Sequence, residues 1–287
     1  MHLQPNAARV ASQPMSENFR FGVGVNRAHS RTALTENARR FEDLGYDVFI
    51  VPDHLGAIAP FPALAAAAQV TSTIRLGTNV LNAGFYKPAL LARDAADVDL
   101  LSDGRLDLGL GAGYVREEFD AAEIPFPTAG QRVTHLGKVV SYLREHHPSI
   151  PLLIAGNGDR VLTLAAQKAQ IVGLTGSDIG KGVADPLAER IAFVRAAAGD
   201  RFADLELNLT VTASPTDDSG RPDLSLTRRY APDTPEEELL RLPGVLSGTP
   251  RDMADKVRGL RETYGITYFT VMFRQAEHFA KVIAELR

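Results

Sequence analysis

The chain has 287 residues, 45% hydrophobic and 23% charged, a globular composition with room for a large core or two ordinary domains. The net charge of −4 carries no basic excess and no Lys/Arg block interleaves with aromatics, so nucleic acid is not an expected partner. No apolar run reaches the roughly 18 residues of a membrane span. Zero cysteines exclude disulfides, thiolate metal sites, iron–sulfur clusters and a thiol nucleophile.

Residues 1–18 hold no apolar h-region, which argues against a secretory signal. They read as a flexible N-terminal extension, and with the absence of cysteine they point to a cytoplasmic location. A first strand covers 20–25 (RFGVGV) and ends near Asn26. A helix over 32–46 puts Leu34, Ala38, Phe41 and Leu44 on one face, with Gly45 as its stop. The next stretch, VFIVPDH at 48–54, organises the chain. Five apolar residues closed by Pro52 make a buried parallel strand. Asp53 and His54 then leave the core at its C-terminal end, where β/α proteins place their chemistry.

An Ala-rich helix is predicted over 62–71, a third strand over 75–81 (RLGTNVL), and a helix over 88–102 with Pro in its first turn. The fourth strand, 106–110, runs into Gly111, Ala112 and Gly113. A charged, Pro-containing excursion covers 114–127, and a long amphipathic helix 128–147. The fifth strand, 151–155, closes in Gly156, Asn157 and Gly158. A short helix at 161–169 leads to the sixth strand, 171–174, which ends in Thr175, Gly176 and Ser177. A helix over 187–198 and a seventh strand over 205–212 follow. Residues 214–247 break the rhythm with Pro, Asp, Ser and Arg and a short acidic helix at 235–242. They read as an excursion over the active-site face. A helix over 250–264, an eighth strand over 267–273 and a helix over 277–286 finish the chain.

Eight strands alternating with helices predict a parallel sheet. Eight units over about 250 residues match an α/β fold of the (β/α)8 TIM-barrel type better than its rival, a doubly wound open sheet with two edges to cover. The expected organisation is one barrel domain over 19–287, with 214–247 inserted between the seventh strand and the following helix.

On that reading the strand ends converge on one mouth and contribute Asn26, Asp53, His54, Asn79, Val80, Gly111, Ala112, Gly113, Ala155, Gly156, Asn157, Thr175, Gly176, Ser177, Thr212 and Phe273. Few are charged and many are small, so backbone can approach a flat or phosphorylated ligand. Any single Gly is better explained as a turn residue; three small strand ends together favour a ligand. His54 is the best titratable candidate, since imidazole exchanges protons near neutral pH. Asp53 could orient a ring, accept a hydrogen bond or hold a cofactor polar group, and a direct Asp–His pair is not implied. Both could instead be ordinary loop residues. No metal site is expected, because the adjacent His146 and His147 have poor ligand geometry. No GxSxG, HExxH or P-loop is present. GLGAG at 109–113 lacks the third Gly of a dinucleotide fingerprint, since position 114 is Tyr.

Four stretches together resemble the luciferase-like monooxygenase superfamily: ARRFEDLGYDVFIVPDHL at 38–55, IRLGTNVLNAGFYKPALLARDAADVDLLSDGRLDLGLGAGY at 74–114, PLLIAGNGDRVLTLAAQKA at 151–169 and, more weakly, SGTPRDMADKVRGLRETYGITYFTV at 247–271. The Asp-His pair is closer to the branch that uses the deazaflavin coenzyme F420 than to the FMN-dependent luciferases. The resemblance implies a homodimeric barrel that transfers a hydride between reduced F420 and a small organic substrate. It places His54 and Asp53 facing the ring, with His54 as the proton-transfer group. It places a non-prolyl cis peptide at Asn79-Val80 behind the ring. Gly111, Ala112 and Gly113 fall beside the cofactor, Ala155, Gly156 and Asn157 against the ring or ribityl chain, and Thr175 and Gly176 on the phosphate side. A deazaflavin sugar-phosphate dehydrogenase carries an acid where this chain has Ala112-Gly113, and no basic set for a sugar phosphate is identifiable. Two alternatives stand: an FMN-dependent monooxygenase using reduced flavin and oxygen, and a barrel that binds cofactor without catalysis.

Overall fold

The computed structural model describes residues 18–175 and 183–287; the expected N-terminal extension lies outside them, Asn18 apart. Nine strand segments run in parallel: β1 Arg20–Gly24, β2 Val48–Ile50, β3 Arg75–Gly77, β4 Leu81–Asn82, β5 Leu106–Gly111, β6 Leu152–Ala155, β7 Ile171–Thr175, β8 Glu206–Thr210 and β9 Ile266–Met272. Their order is β3-β2-β1-β9-β8-β7-β6-β5-β4, and β3 also pairs with β5 (Gly77 opposite Asp107), which closes the ring. Since β3 and β4 are two halves of one stave, this is an eight-stave (β/α)8 barrel with its helices outside.

The third strand departs from expectation. It is not continuous over 75–81 but breaks at Thr78, Asn79 and Val80, and the Asn79-Val80 peptide is cis, as the resemblance implies. The break is held from the next strand. The Thr78 hydroxyl donates to the Gly109 carbonyl and accepts the Gly109 N–H, both at 2.8 Å. A side chain thus replaces the backbone ladder where β3 leaves it.

The helices follow their local signals. Arg31–Asp43 starts under Ser30, whose side chain accepts from Ala33 N–H, and the chain turns at Gly45 with φ +84°. Ala129–His146 opens with the Thr128/Gln131 capping box. Pro250–Tyr264 opens with Thr249/Asp252 and ends at left-handed Gly265. The segment after β8 carries two short helices, Ser225–Tyr230 and Glu236–Arg241, of which only the second is predicted. SLTRRY is too short and too polar to show a helical period. The segment is packed down: Leu239, Val245 and Leu246 are buried, Ala213 bridges Val245, and Lys256 Nζ donates to the Leu242 and Val245 carbonyls at 2.9 and 2.5 Å.

The described residues form two apolar cores. The larger lies between strands and helices and contains Phe21, Phe41, Phe49, Leu108 and Phe279. The smaller fills the barrel: Val48, Ile50, Leu153, Ile171 and Tyr268. Below it, at the strand starts, a half-buried ionic plug closes the barrel. Arg20 pairs with Asp107 at 2.6 Å and with Glu206, Arg75 pairs with Asp107 at 2.7 Å, and the Arg20 guanidinium lies 4.7 Å from the Tyr268 ring centre. Burial pulls the Arg20 guanidinium down, and Asp107 and Glu206 more than reverse it. Burial pushes the Glu206 carboxyl up, with Arg20 opposing. A charged plug at one end leaves the C-terminal mouth as the open end.

Glu42 braces the loop into β3. Its Oε1 accepts N–H bonds from Ser72, Thr73 and Ile74 at 2.9, 2.6 and 2.9 Å. Burial opposes the charged form, but these bonds hold the carboxyl down at about 2 against an ordinary 4.5. A carboxyl lowered in the folded state adds stability above pH 4.5 that is lost as pH falls towards 2. Glu42→Gln is therefore expected to cost about 1–2 kcal/mol at pH 7 and to flatten the acid limb of the stability curve. Urea unfolding at pH 7 and pH 3 checks it: an equal cost at both would contradict the charge argument.

Candidate active site

The end of β2 is tied to the break in the third stave. The Asp53 N–H donates to the Val80 carbonyl at 3.4 Å. The half-buried Asp53 carboxylate accepts the Asn82 N–H at 3.1 Å and the Tyr86 hydroxyl. Burial pushes the Asp53 carboxyl up and those two bonds partly restore it. Tyr86 is raised in turn, first by burial and then by the facing Asp53 charge.

His54 makes a separate contact. Its Nδ1 lies 2.7 Å from Oε1 of Glu118, with the His54 side chain 50% exposed and that of Glu118 15%. Asp53 and His54 therefore serve different partners, one inward and one outward. Glu118 belongs to the short helix Arg116–Ala121, inside the stretch read as a charged excursion. Sequence reasoning missed it. The available signal was the apolar Phe119 within REEFD, which pins the helix and so fixes the glutamate before it. A carboxylate thus stands by His54 although positions 112 and 113 offer none.

The glycines of β5 serve the broken stave first. A Cβ at Gly109 would overlap the Thr78 carbonyl, one at Gly111 would lie 2.7 Å from Val80 Cγ2, and one at Gly113 would meet the Asn82 side chain. Ala112 between them is half-buried against the outer core. GLGAG is thus accounted for by close approach of the third stave. It leaves Ala112 and the backbone of Gly111 and Gly113 at the rim.

Across the mouth, Ala155 ends β6, and Gly156 follows with φ +155°. A Cβ on Gly156 would sit 2.9 Å from Val161. The Asn157 amide and the Thr175 hydroxyl bond each other at 2.9 and 3.1 Å, joining the ends of β6 and β7. Gly176 and Ser177 lie outside the described residues. Val80 and Ala155 both pack, partly exposed, on the cluster inside the barrel. They give the mouth an apolar floor, and Asp53, His54–Glu118 and Asn157–Thr175 give it a polar rim. A flat heterocycle with an apolar face and polar edges fits that combination. Tyr114, just beyond Gly113, is 71% exposed and hydrogen-bonds Tyr230, so the segment after β8 reaches the β5 loop. Among the described residues no group of three or more His, Asp or Glu could hold a metal ion.

A closed (β/α)8 barrel whose C-terminal mouth combines an apolar floor with a His–carboxylate rim defines a small-molecule-binding barrel. Residues 15–140 match the luciferase-like monooxygenase family model. The chain is 36% identical over 122 residues to the F420-dependent glucose-6-phosphate dehydrogenase of Amycolatopsis mediterranei, covering 39% of this chain and 36% of that protein. Against the enzyme of that name from Beutenbergia cavernae it is 30% identical over 222 residues, 66% of each. The structure of coenzyme F420-dependent tetrahydromethanopterin reductase from Methanopyrus kandleri superposes with a TM-score of 0.72 at 16% identity, over 94% of this chain and 100% of that one, a likeness of fold. The match to the first curated relatives spans little more than a third of their own length. The chain belongs to the luciferase-like monooxygenase family.

Proposed function

We infer that the chain is an F420-dependent oxidoreductase acting on a small organic substrate, with residues 19–287 working as one barrel unit in the cytoplasm. The observation that carries this reading is the His54–Glu118 pair at the rim of an apolar-floored mouth, in a chain whose curated relatives include F420-dependent dehydrogenases. Bound deazaflavin would supply the hydride chemistry. The chain's own residues would do the rest. Val80 and Ala155 would carry one face of the ring, with Asn79 in the same stave. Asp53, Gly111, Ala112, Gly113, Gly156 and Asn157 would line its edges. Thr175 would face the phosphate side. His54 would hold or take the proton that accompanies the hydride. Exposed Leu90 and Leu101, on one face of the helix Pro88–Leu101, support a homodimer, which sedimentation of the purified chain tests.

Fluorescence titration with F420 and with FMN separates the cofactors. Micromolar F420 binding is expected, and micromolar FMN binding with none of F420 would overturn the choice in favour of the monooxygenase reading. Once a substrate reaction is in hand, His54→Ala is expected to lower kcat about 10²–10⁴-fold. An unchanged kcat would remove His54 from the chemistry.

A further inference from the structure

We propose that the 114–127 excursion exists to present Glu118 to His54, and that Glu118 is the positioning residue of the site. Its carboxylate takes the Nδ1–H of His54 and leaves Nε2, on the far side of the ring, as the free proton-accepting nitrogen.

Both ends of the excursion are clasped by one side chain: Arg132 donates to the Gly113 carbonyl at 2.8 Å and to the Pro127 carbonyl at 2.5 Å. The same guanidinium lies 4.2 Å from the centre of the Phe126 ring. Phe126 packs edge-on against Phe119 at 5.1 Å, and Phe119 against Phe85 at 5.3 Å. Phe119 is 1% exposed. A Cβ at Gly84 would lie 2.6 Å from its ring, so the bare glycine makes room for it. A six-residue helix is not stable alone. Here an aromatic anchor and an arginine clasp hold it, and Glu118 precedes the anchor by one residue.

The consequence for His54 follows from donor and acceptor counts. An ionised carboxylate only accepts, and a neutral imidazole has one N–H to give. A 2.7 Å contact between Glu118 Oε1 and His54 Nδ1 therefore puts that hydrogen on Nδ1. In water a neutral imidazole favours the other tautomer, so the contact selects the minor form. His54 itself sits at the start of a turn closed by Ala57 N–H on its carbonyl at 3.0 Å. With its ring half exposed, Glu118 is the contact that sets both the angle of the ring and which nitrogen is free.

The effect on turnover rests on the oxidoreductase reading; the tautomer does not. The test is long-range 1H–15N correlation on 15N-histidine protein at pH 8, with the His54 signals assigned by their loss in His54→Gln. The Nδ1–H pattern is expected in the wild type and in Glu118→Gln, whose amide oxygen still accepts. The Nε2–H pattern is expected in Glu118→Ala. A wild type in the Nε2–H form, or a Glu118→Ala protein with the wild-type tautomer, would overturn the proposal whatever its activity. In turnover, Glu118→Ala should lose at least tenfold in kcat with the cofactor KM unchanged, and Glu118→Gln should recover most of it. A loss confined to KM would overturn the positioning role. A protein that binds no F420 would end the functional reading and leave the tautomer result to judge this proposal.

Discussion

Gly109→Ala is expected to destabilise the protein by about 3 kcal/mol or more, or to prevent folding. The added methyl would overlap the Thr78 carbonyl oxygen and lie 2.8 Å from its carbon. Those are backbone atoms, so no rotamer change relieves the contact. Nor can the two strands part cheaply. The Thr78 hydroxyl bonds both backbone groups of Gly109, and Leu76 and Gly77 pair with Leu106 and Asp107 just below. Urea unfolding measures the loss. Gly137→Ala is the control: within the helix Ala129–His146 its Cβ would meet nothing within 4 Å. It is expected to be stabilising by about 0.5–1 kcal/mol through helix propensity. Equal behaviour of the two variants would refute the close approach of the broken stave to β5.

Arg20→Met is the second large effect, with an expected cost of about 3–5 kcal/mol at neutral pH. Met retains much of the volume but leaves Glu206 without its cation, while Asp107 keeps Arg75 at 2.7 Å. Glu206 Oε1 is already buried without a hydrogen-bond partner. The pH dependence gives the signature. Burial holds the Glu206 carboxyl above its ordinary 4.5 in the folded protein, and loss of Arg20 removes what opposes that. A carboxyl raised by folding binds a proton more tightly folded than unfolded, so acidification favours the fold until the group is protonated. The gap between variant and wild type should therefore narrow as pH is lowered from 8 towards 5.5. Guanidinium unfolding across that range tests it, and a gap that widens on acidification would contradict the buried-charge argument. Adding Glu206→Gln to the variant should recover part of the loss at pH 7, since the orphaned charge is gone.

Both effects lie in parts of the molecule that pattern reading describes unequally. The strands and helices were legible because their signals are local. VFI before Pro52, Thr249-Pro250 ahead of an amphipathic run, and Gly45 and Gly265 at helix ends each act within one turn or one strand. The rhythm of eight such units implied the barrel, and the barrel implied which residues reach its mouth. Asp53, Ala155 and Thr175 follow from strand ends alone, and the break at Asn79-Val80 from the resemblance. The helix Ser225–Tyr230 was not legible, being six residues held by tertiary contact such as the Thr212–Thr227 hydroxyl pair at 2.9 Å.

From its sequence alone, then, this chain's alternation of strand and helix, the polarity of each face and the residues that end several strands can be read, since hydrophobic period, caps and turns are short-range. Only the tertiary structure decided the pairings. Arg20 meets Glu206 across 186 residues of chain, His54 meets Glu118 across 64, and Asn157 meets Thr175 across 18. Closing the ring, with β3 on β5 and β1 on β9, brings these groups together. Ring closure depends on strand register and on packing at positions such as Gly109, which nothing in the neighbouring residues encodes.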